Sequence, residues 1–248
     1  MISRVGMDRD ATPWLSGRVP DGYWSRAANR RRYMDWLGKK CGFQTSEDWH
    51  HITKRTFYKN RGGGLLANYY RDSPFAAMRE YKPRCEWKPW LFRSVPQGFW
   101  QSAGNRRAYM DWLGKELKCK QTSDWYRITK EDFYSHCGGG LLANYYGDSP
   151  LAALKEYRPS YPWKAWLLTS APQRYWKRRA HRREYMEWLG KQLRVRRPED
   201  WYKLTRKDFV RHGGGGLLVM YFAASPLKAL QEYLPAYKWD SSRFQSDS

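Results

Sequence analysis

Cysteine and histidine are scarce in this chain of 248 residues, and neither gathers into clusters. The four cysteines, Cys41, Cys85, Cys119 and Cys137, contain no Cys-x-x-Cys pair. The five histidines, His50, His51, His136, His181 and His212, never join them at the spacings of zinc sites. Neither a disulfide framework nor a metal centre is expected, and scattered thiols point to a reducing, intracellular compartment, the nucleus before an organelle. Long apolar runs are also missing. The longest, near Leu217 to Ala224, falls far short of the roughly 18 residues that a membrane span needs. The start, MISRVGMDRD, has no hydrophobic signal region, so a soluble protein outside the usual secretory route is expected. Acidic residues are few, 24 against 46 Lys and Arg, which leaves a net charge of +22. No stretch of useful length alternates with strand periodicity, so the predicted fold class is all-α.

What the chain has in abundance is self-similarity. At an offset of 76 residues YMDWLG at Tyr33 returns at Tyr109, and as YMEWLG at Tyr185. Asp48-Trp49 returns as Asp124-Trp125 and Asp200-Trp201, and Gly62 to Gly64 as Gly138 to Gly140 and Gly214 to Gly216. A fixed period of this kind decides the architecture before any residue is read for chemistry. The units are drawn as 14–89, 90–165 and 166–241, between an N-terminal extension (1–13) and a tail (242–248). Seventeen per cent of the residues are aromatic, including 15 Trp and 19 Tyr, enough for modules of this size to bury a core. Each of the first and third units carries 16 Lys and Arg against 7 Asp and Glu, a net +9; the second carries 11 against 7, a net +4. The charge thus belongs to folded modules, and such a surface suits an extended polyanion.

Within the middle unit, Asn105 to Leu117 places Tyr109, Trp112, Leu113 and Leu117 on one helical face. Ser123-Asp124 resembles the N-cap of a short helical turn, and Thr129 to Asp132 a Thr-x-x-Asp capping box opening a second helix. That helix stops at Cys137 and the glycines, Leu141 to Tyr146 makes a third, and Ser149-Pro150 caps a fourth running to Tyr157. The third and fourth, with a tight turn between them, have the size of a helix-turn-helix. The linkers Trp87-Lys-Pro-Trp90 and Trp163-Lys-Ala-Trp166 are aromatic where a flexible linker would be Gly and Ser. Neighbouring units are therefore expected to pack as a short rod or superhelix, with Trp90 and Trp166 buried at the junctions.

This order, a helix ending Trp-Leu-Gly, an Asp-Trp segment, a further helix, a glycine-serine turn and a final Ala-Leu helix, resembles the helix-turn-helix repeats associated with homing endonucleases. It is also similar to tryptophan-rich repeat proteins of fungi and algae. The first resemblance implies DNA binding. The run of glycines and the density of tryptophan depart from that family, so none of its binding residues is carried over.

The candidate contacts come from the residues themselves. Arg31, Arg107 and Arg183 each have an acid four residues on, so a surface ion pair competes with phosphate contact. Arg30, Arg106 and Arg182 have methionine there instead and no local helical partner, which favours phosphate binding. Lys39, Lys115 and Lys191 near the end of the same helix are explained as well by its dipole. Gly63 and Gly64, Gly139 and Gly140, and Gly215 and Gly216 lead into the third helix, either as a phosphate-cradling turn or as one that permits close packing. No Lys-Ser or Lys-Thr follows, which excludes a nucleotide P-loop. Trp36, Trp112 and Trp188 are expected in the core. Tyr23-Trp24, Phe99-Trp100 and Tyr175-Trp176 are the better candidates for stacking on unpaired bases. Asn68 and Asn144, replaced by Met220 in the third unit, are candidates for base reading, or for surface drift. The recurring acids, such as Asp124 and Asp132, have capping roles, so neither enzymatic activity nor a cofactor is expected. The function these features predict is nucleic-acid binding, duplex DNA before RNA, with a scaffold for an acidic protein partner as the alternative and no membrane partner.

Overall fold

The computed structural model describes residues 12–169 and 174–244; most of the expected N-terminal extension and tail lies outside the described residues. Every regular element among them is a helix, as the sequence predicts. The first repeat contains α1 (Ala27–Cys41), α2 (Ser46–His50), α3 (Lys54–Lys59), α4 (Gly63–Tyr70) and α5 (Pro74–Tyr81). The second contains α6 (Ala103–Glu116), α7 (Lys130–Ser135), α8 (Gly139–Tyr146) and α9 (Pro150–Tyr157). The third contains α10 (Arg179–Gln192), α11 (Arg206–Arg211), α12 (Gly215–Phe222) and α13 (Pro226–Tyr233). In the later repeats the counterpart of α2 is a 3-10 turn, Thr122–Arg127 and Pro198–Lys203. By compactness the chain forms two units, Met1–Tyr109 and Met110–Ser248, each with its own core.

Most of these short helices are held at their starts by side chains. The side chains of Thr45, Thr53, Thr129 and Thr205 accept a hydrogen bond from the third helical N–H, and their own N–H groups donate back to the side chain at that position, a reciprocal capping box. Ser73, Ser149 and Ser225 cap α5, α9 and α13, each followed by Pro in the first helical position. Asp124 differs from expectation. It stands at the third helical position, where it accepts from the N–H groups of Lys120 and Gln121, and Gln121 is the cap. The N–H of Gln121, then that of Lys120, hold its carboxylate below the ordinary range.

The recurring motifs meet in the cores. In the first unit Tyr33 and Leu37 of α1 are fully buried with Trp14, Trp49 and Phe57. A Cβ on Gly38 would lie 2.6 Å from the ring of Trp49, and one on Gly190 2.9 Å from Trp201. The glycine of Trp-Leu-Gly and the tryptophan of Asp-Trp are thus two halves of one contact. The same holds for Tyr33 and Gly62, whose Cβ would fall on the buried hydroxyl. Each large buried side chain of this kind stabilises the fold by roughly 1.5–3 kcal/mol.

Trp90 and Trp166 are buried as expected, but the ring contacts seen for them lie within their own repeats. Trp166 packs on Trp176, Tyr185 and Trp188 at centroid distances of 6.3, 5.5 and 5.4 Å. Trp90 packs on Phe99, Trp100 and Tyr109. The residues that reach back to the preceding repeat stand two or three positions later. Phe92 meets His50, Phe75 and Trp87. In the second unit, just after Leu168, the Thr169 N–H donates to the carbonyl of Tyr126. The Lys164 N–H donates to the Tyr126 hydroxyl, and Asp240 N–H does the same to Tyr202.

Candidate nucleic-acid interface

The geometry of the arginines redistributes the expected contacts. Arg30 has no partner on its own helix, but Glu80, fifty residues on in α5, accepts from its Nε at 2.7 Å. Its Nη1 donates to the carbonyls of Trp24 and Ser25, at 2.7 and 2.8 Å. Arg182 repeats the pattern with a two-pronged contact to Glu232 and with the carbonyls of Trp176 and Lys177. Arg106 is buried and donates to the carbonyls of Trp100 and Gln101. Arg30 and Arg182 thus tie the 3-10 turn before the helix, the helix itself and the last helix of the repeat together. This corrects the reading of Arg30, Arg106 and Arg182 as free phosphate ligands: an i,i+4 test sees only partners on the same helix.

The second arginine of each pair stays outside. Arg31, Arg107 and Arg183 are exposed. The expected ion pair forms in the third repeat, Arg183 to Glu187 at 3.1 Å. In the first two repeats the corresponding acid takes another partner, Asp35 the Tyr81 hydroxyl at 2.7 Å and Asp111 the Tyr157 hydroxyl at 2.6 Å. Lys39, Lys115 and Lys191 are exposed in the last turn of α1, α6 and α10. Trp24 and Trp176 are only 7% exposed, with ring faces covered by Trp14 and Tyr33 in one case and Trp166 and Tyr185 in the other. These two are core residues, which removes them as candidates for stacking.

The glycine runs do not precede the third helix; they are its first turn. Gly63 and Gly64 open α4, Gly139 and Gly140 open α8, and Gly215 and Gly216 open α12. The N-caps, Gly62, Gly138 and Gly214, offer no side-chain acceptor. Among the described residues no acceptor reaches the N–H groups of Gly63, Gly64 and Leu65, or those of Gly215, Gly216 and Leu217. Such unpaired N–H groups at a helix start form a ready anion site.

The three glycines of each run have different reasons to be there. Gly62 and Gly214 are required by the tyrosine hydroxyl beneath them. Gly63 and Gly139 sit against the rings of Tyr58 and Tyr134, at 2.9 and 2.7 Å from where a Cβ would lie. Gly64, Gly140 and Gly216 have ordinary negative φ and no crowding: only the Trp24 Nε1 comes within 4.0 Å of Gly64, and nothing that close to the other two. Neither conformation nor packing asks for glycine there, although glycine weakens a helix by up to about 1 kcal/mol relative to alanine. The Trp24 indole N–H adds a donor beside Gly64.

On the outer side of α4, Gly64, Ala67 and Asn68 are exposed, and α8 presents Gly140, Ala143 and Asn144 in the same way. Tyr58 donates its hydroxyl to Asp72 at 2.9 Å and Tyr134 to Asp148 at 2.8 Å, with Lys54 and Lys130 on the same carboxylates. Lys130 first, then Tyr134, keep the Asp148 carboxyl below its ordinary range. No helix among the described residues is long and apolar enough to cross a membrane. Comparison with protein-family models, with curated proteins and with solved structures finds no match.

Proposed function

We propose that this chain is a nucleic-acid-binding repeat protein that holds duplex DNA by its phosphate backbone. The observation that carries the reading is the uncapped first turn of α4, α8 and α12, where Gly64, Gly140 and Gly216 leave the backbone open without any structural need for it. A phosphate oxygen can approach amide N–H groups only where no side chain stands in front of them. A net charge of +22 supplies attraction along a polyanion, with Arg31, Arg107, Arg183, Lys39, Lys115 and Lys191 as outward cations. Asn68 and Asn144, exposed one turn further along the same face, are the candidates for reading a base edge. Duplex DNA is favoured over single strands because Trp24 and Trp176, two of the three candidate stacking tryptophans, are buried, and over RNA because a short turn joins the third and fourth helices, as in a helix-turn-helix.

The test replaces Gly64, Gly140 and Gly216 together, once by Ala and once by Asp. Both variants should unfold at a higher temperature than the parent, since a glycine leaves a helix and, with Asp, a negative charge meets the helix start. Both should bind a duplex DNA more weakly, with the plot of log affinity against log salt flattened by nearly three, about 0.9 for each phosphate lost. An unchanged slope in the stabilised Ala variant would remove the site from the interface. Tighter binding of the parent to matched duplex RNA would transfer the reading to RNA.

A further inference from the structure

Among the places where the third repeat departs from the other two, one gathers several changes toward apolar side chains. Tyr58 and Tyr134 become Val210, Ala67 and Ala143 become Val219, and Asn68 and Asn144 become Met220. Arg71 and Gly147 become Ala223, while Asp72 and Asp148 become Ala224. These five changes lie together. Val219, Met220 and Ala223 share the outer stripe of α12, and Val210 of α11 lies 3.3 Å from where a Cβ of Gly215 would stand. Val210, Val219 and Met220 are 68, 61 and 74% exposed. The lysine–aspartate–tyrosine network that closes this face in the first two repeats loses its acid and its hydroxyl here. Ala223 and Ala224 keep left-handed backbone, φ 48 and 59°, where Gly147 and Asp148 hold it with less strain. The apolar replacement therefore runs against the preference of the turn as well as against solvation.

We infer that this face of α11 and α12 docks an amphipathic helix with acidic flanks, carried by a partner protein. The charge around the patch selects that occupant. Arg206 and Lys207 stand one helical turn before Val210, and Arg211 follows it. The nearby acid, Asp208, is engaged in the Thr205 cap through Oδ2, and its Oδ1 stands 4.0 Å from Arg211. A second copy of the chain would bring the same positive rim, in a repeat of net charge +9, onto itself. Insertion into a lipid surface wants exposed Trp, Phe or Leu, and the patch has none. A helix laying Leu side chains at i, i+3, i+4 and i+7 over Val219 and Met220 would set glutamates against the rim.

The inference stands apart from the nucleic-acid reading and is tested with the full chain. The probe is a labelled synthetic helical peptide with Leu at that spacing and Glu on its flanks, beside the same peptide with Lys for Glu. The comparison variant is V210Y/V219A/M220N, which restores the residues of the first two repeats without changing charge; Met220→Asn alone guards against a folding defect. The Glu peptide should bind the parent at least tenfold more tightly than the Lys peptide and shift the amide resonances of α11 and α12. The triple variant should lose this binding with its unfolding midpoint kept. Equal binding by parent and variant, or none by the parent, overturns the inference. So does a parent dimer that the variant dissolves, a matching loss of duplex DNA affinity, or variant-sensitive binding to vesicles of phosphatidylserine and phosphatidylcholine.

Discussion

A guanidinium has five N–H donors in a fixed fork, and Arg182 uses four hydrogen bonds to hold Glu232 and two carbonyls. Arg182→Ala would strand a half-buried carboxylate and two carbonyls at once. We expect a loss of about 2–4 kcal/mol in denaturant unfolding, with Arg182→Lys recovering little because an ammonium cannot reproduce the fork. A loss under about 0.5 kcal/mol would return this arginine to the surface-charge class. His50 is a second residue whose neighbours define it. It holds the place of Tyr126 and Tyr202, packs on Trp87 and Phe92, and its buried Nε2 has no hydrogen-bond partner among the described residues. Burial pushes its pKa below the ordinary value. As pH falls below about 6.5 the unfolded chain takes up the proton first, so the native state loses stability down to the folded pKa and not above that window. His50→Tyr removes the titration and supplies a hydroxyl for the N–H of Lys88, as Tyr126 does for Lys164. The gain in melting temperature over the parent should be larger at pH 5.5 than at pH 7.5. Equal gains at both would show that His50 does not titrate in this window.

At the scale of the element, helices of five to eight residues are too short to persist alone, so their ends decide whether they form. The capping hydroxyl of Ser149 accepts the N–H of Ala152 at 3.2 Å. Ser149→Ala should lower unfolding stability by about 1 kcal/mol and leave nucleic-acid affinity unchanged. An unaltered midpoint would mean that Pro150 alone starts α9. Thr129 with Asp132 and Ser149 with Pro150 were legible in the sequence because a cap and the helix it starts are neighbours in the chain. The start of α8 was not: Gly139 and Gly140 carry low helix propensity, so helix was predicted only from Leu141. Burial of Leu141 and Leu142 draws the glycines into the first turn.

For the whole molecule, a charge of +22 opposes compaction while it attracts a polyanion. Added salt should therefore act with opposite signs on the two properties. Between 50 and 300 mM sodium chloride the melting temperature of the free chain should rise, since screening relieves self-repulsion, while duplex affinity falls. A melting temperature that falls with salt would show that ion pairs such as Arg30–Glu80 outweigh the repulsion.

The sequence by itself determined the period, the all-α class, the caps and the excess of positive charge, because each is local or additive along the chain. Tertiary structure decided what the side chains do with that charge. Whether Arg30 faces a phosphate or Glu80 depends on a helix fifty residues away. Which of three adjacent glycines is open depends on where the Tyr33 hydroxyl and the Tyr58 ring come to rest. Burial, unlike helix propensity, is a property of pairs distant in the chain, and no period read along one dimension contains it.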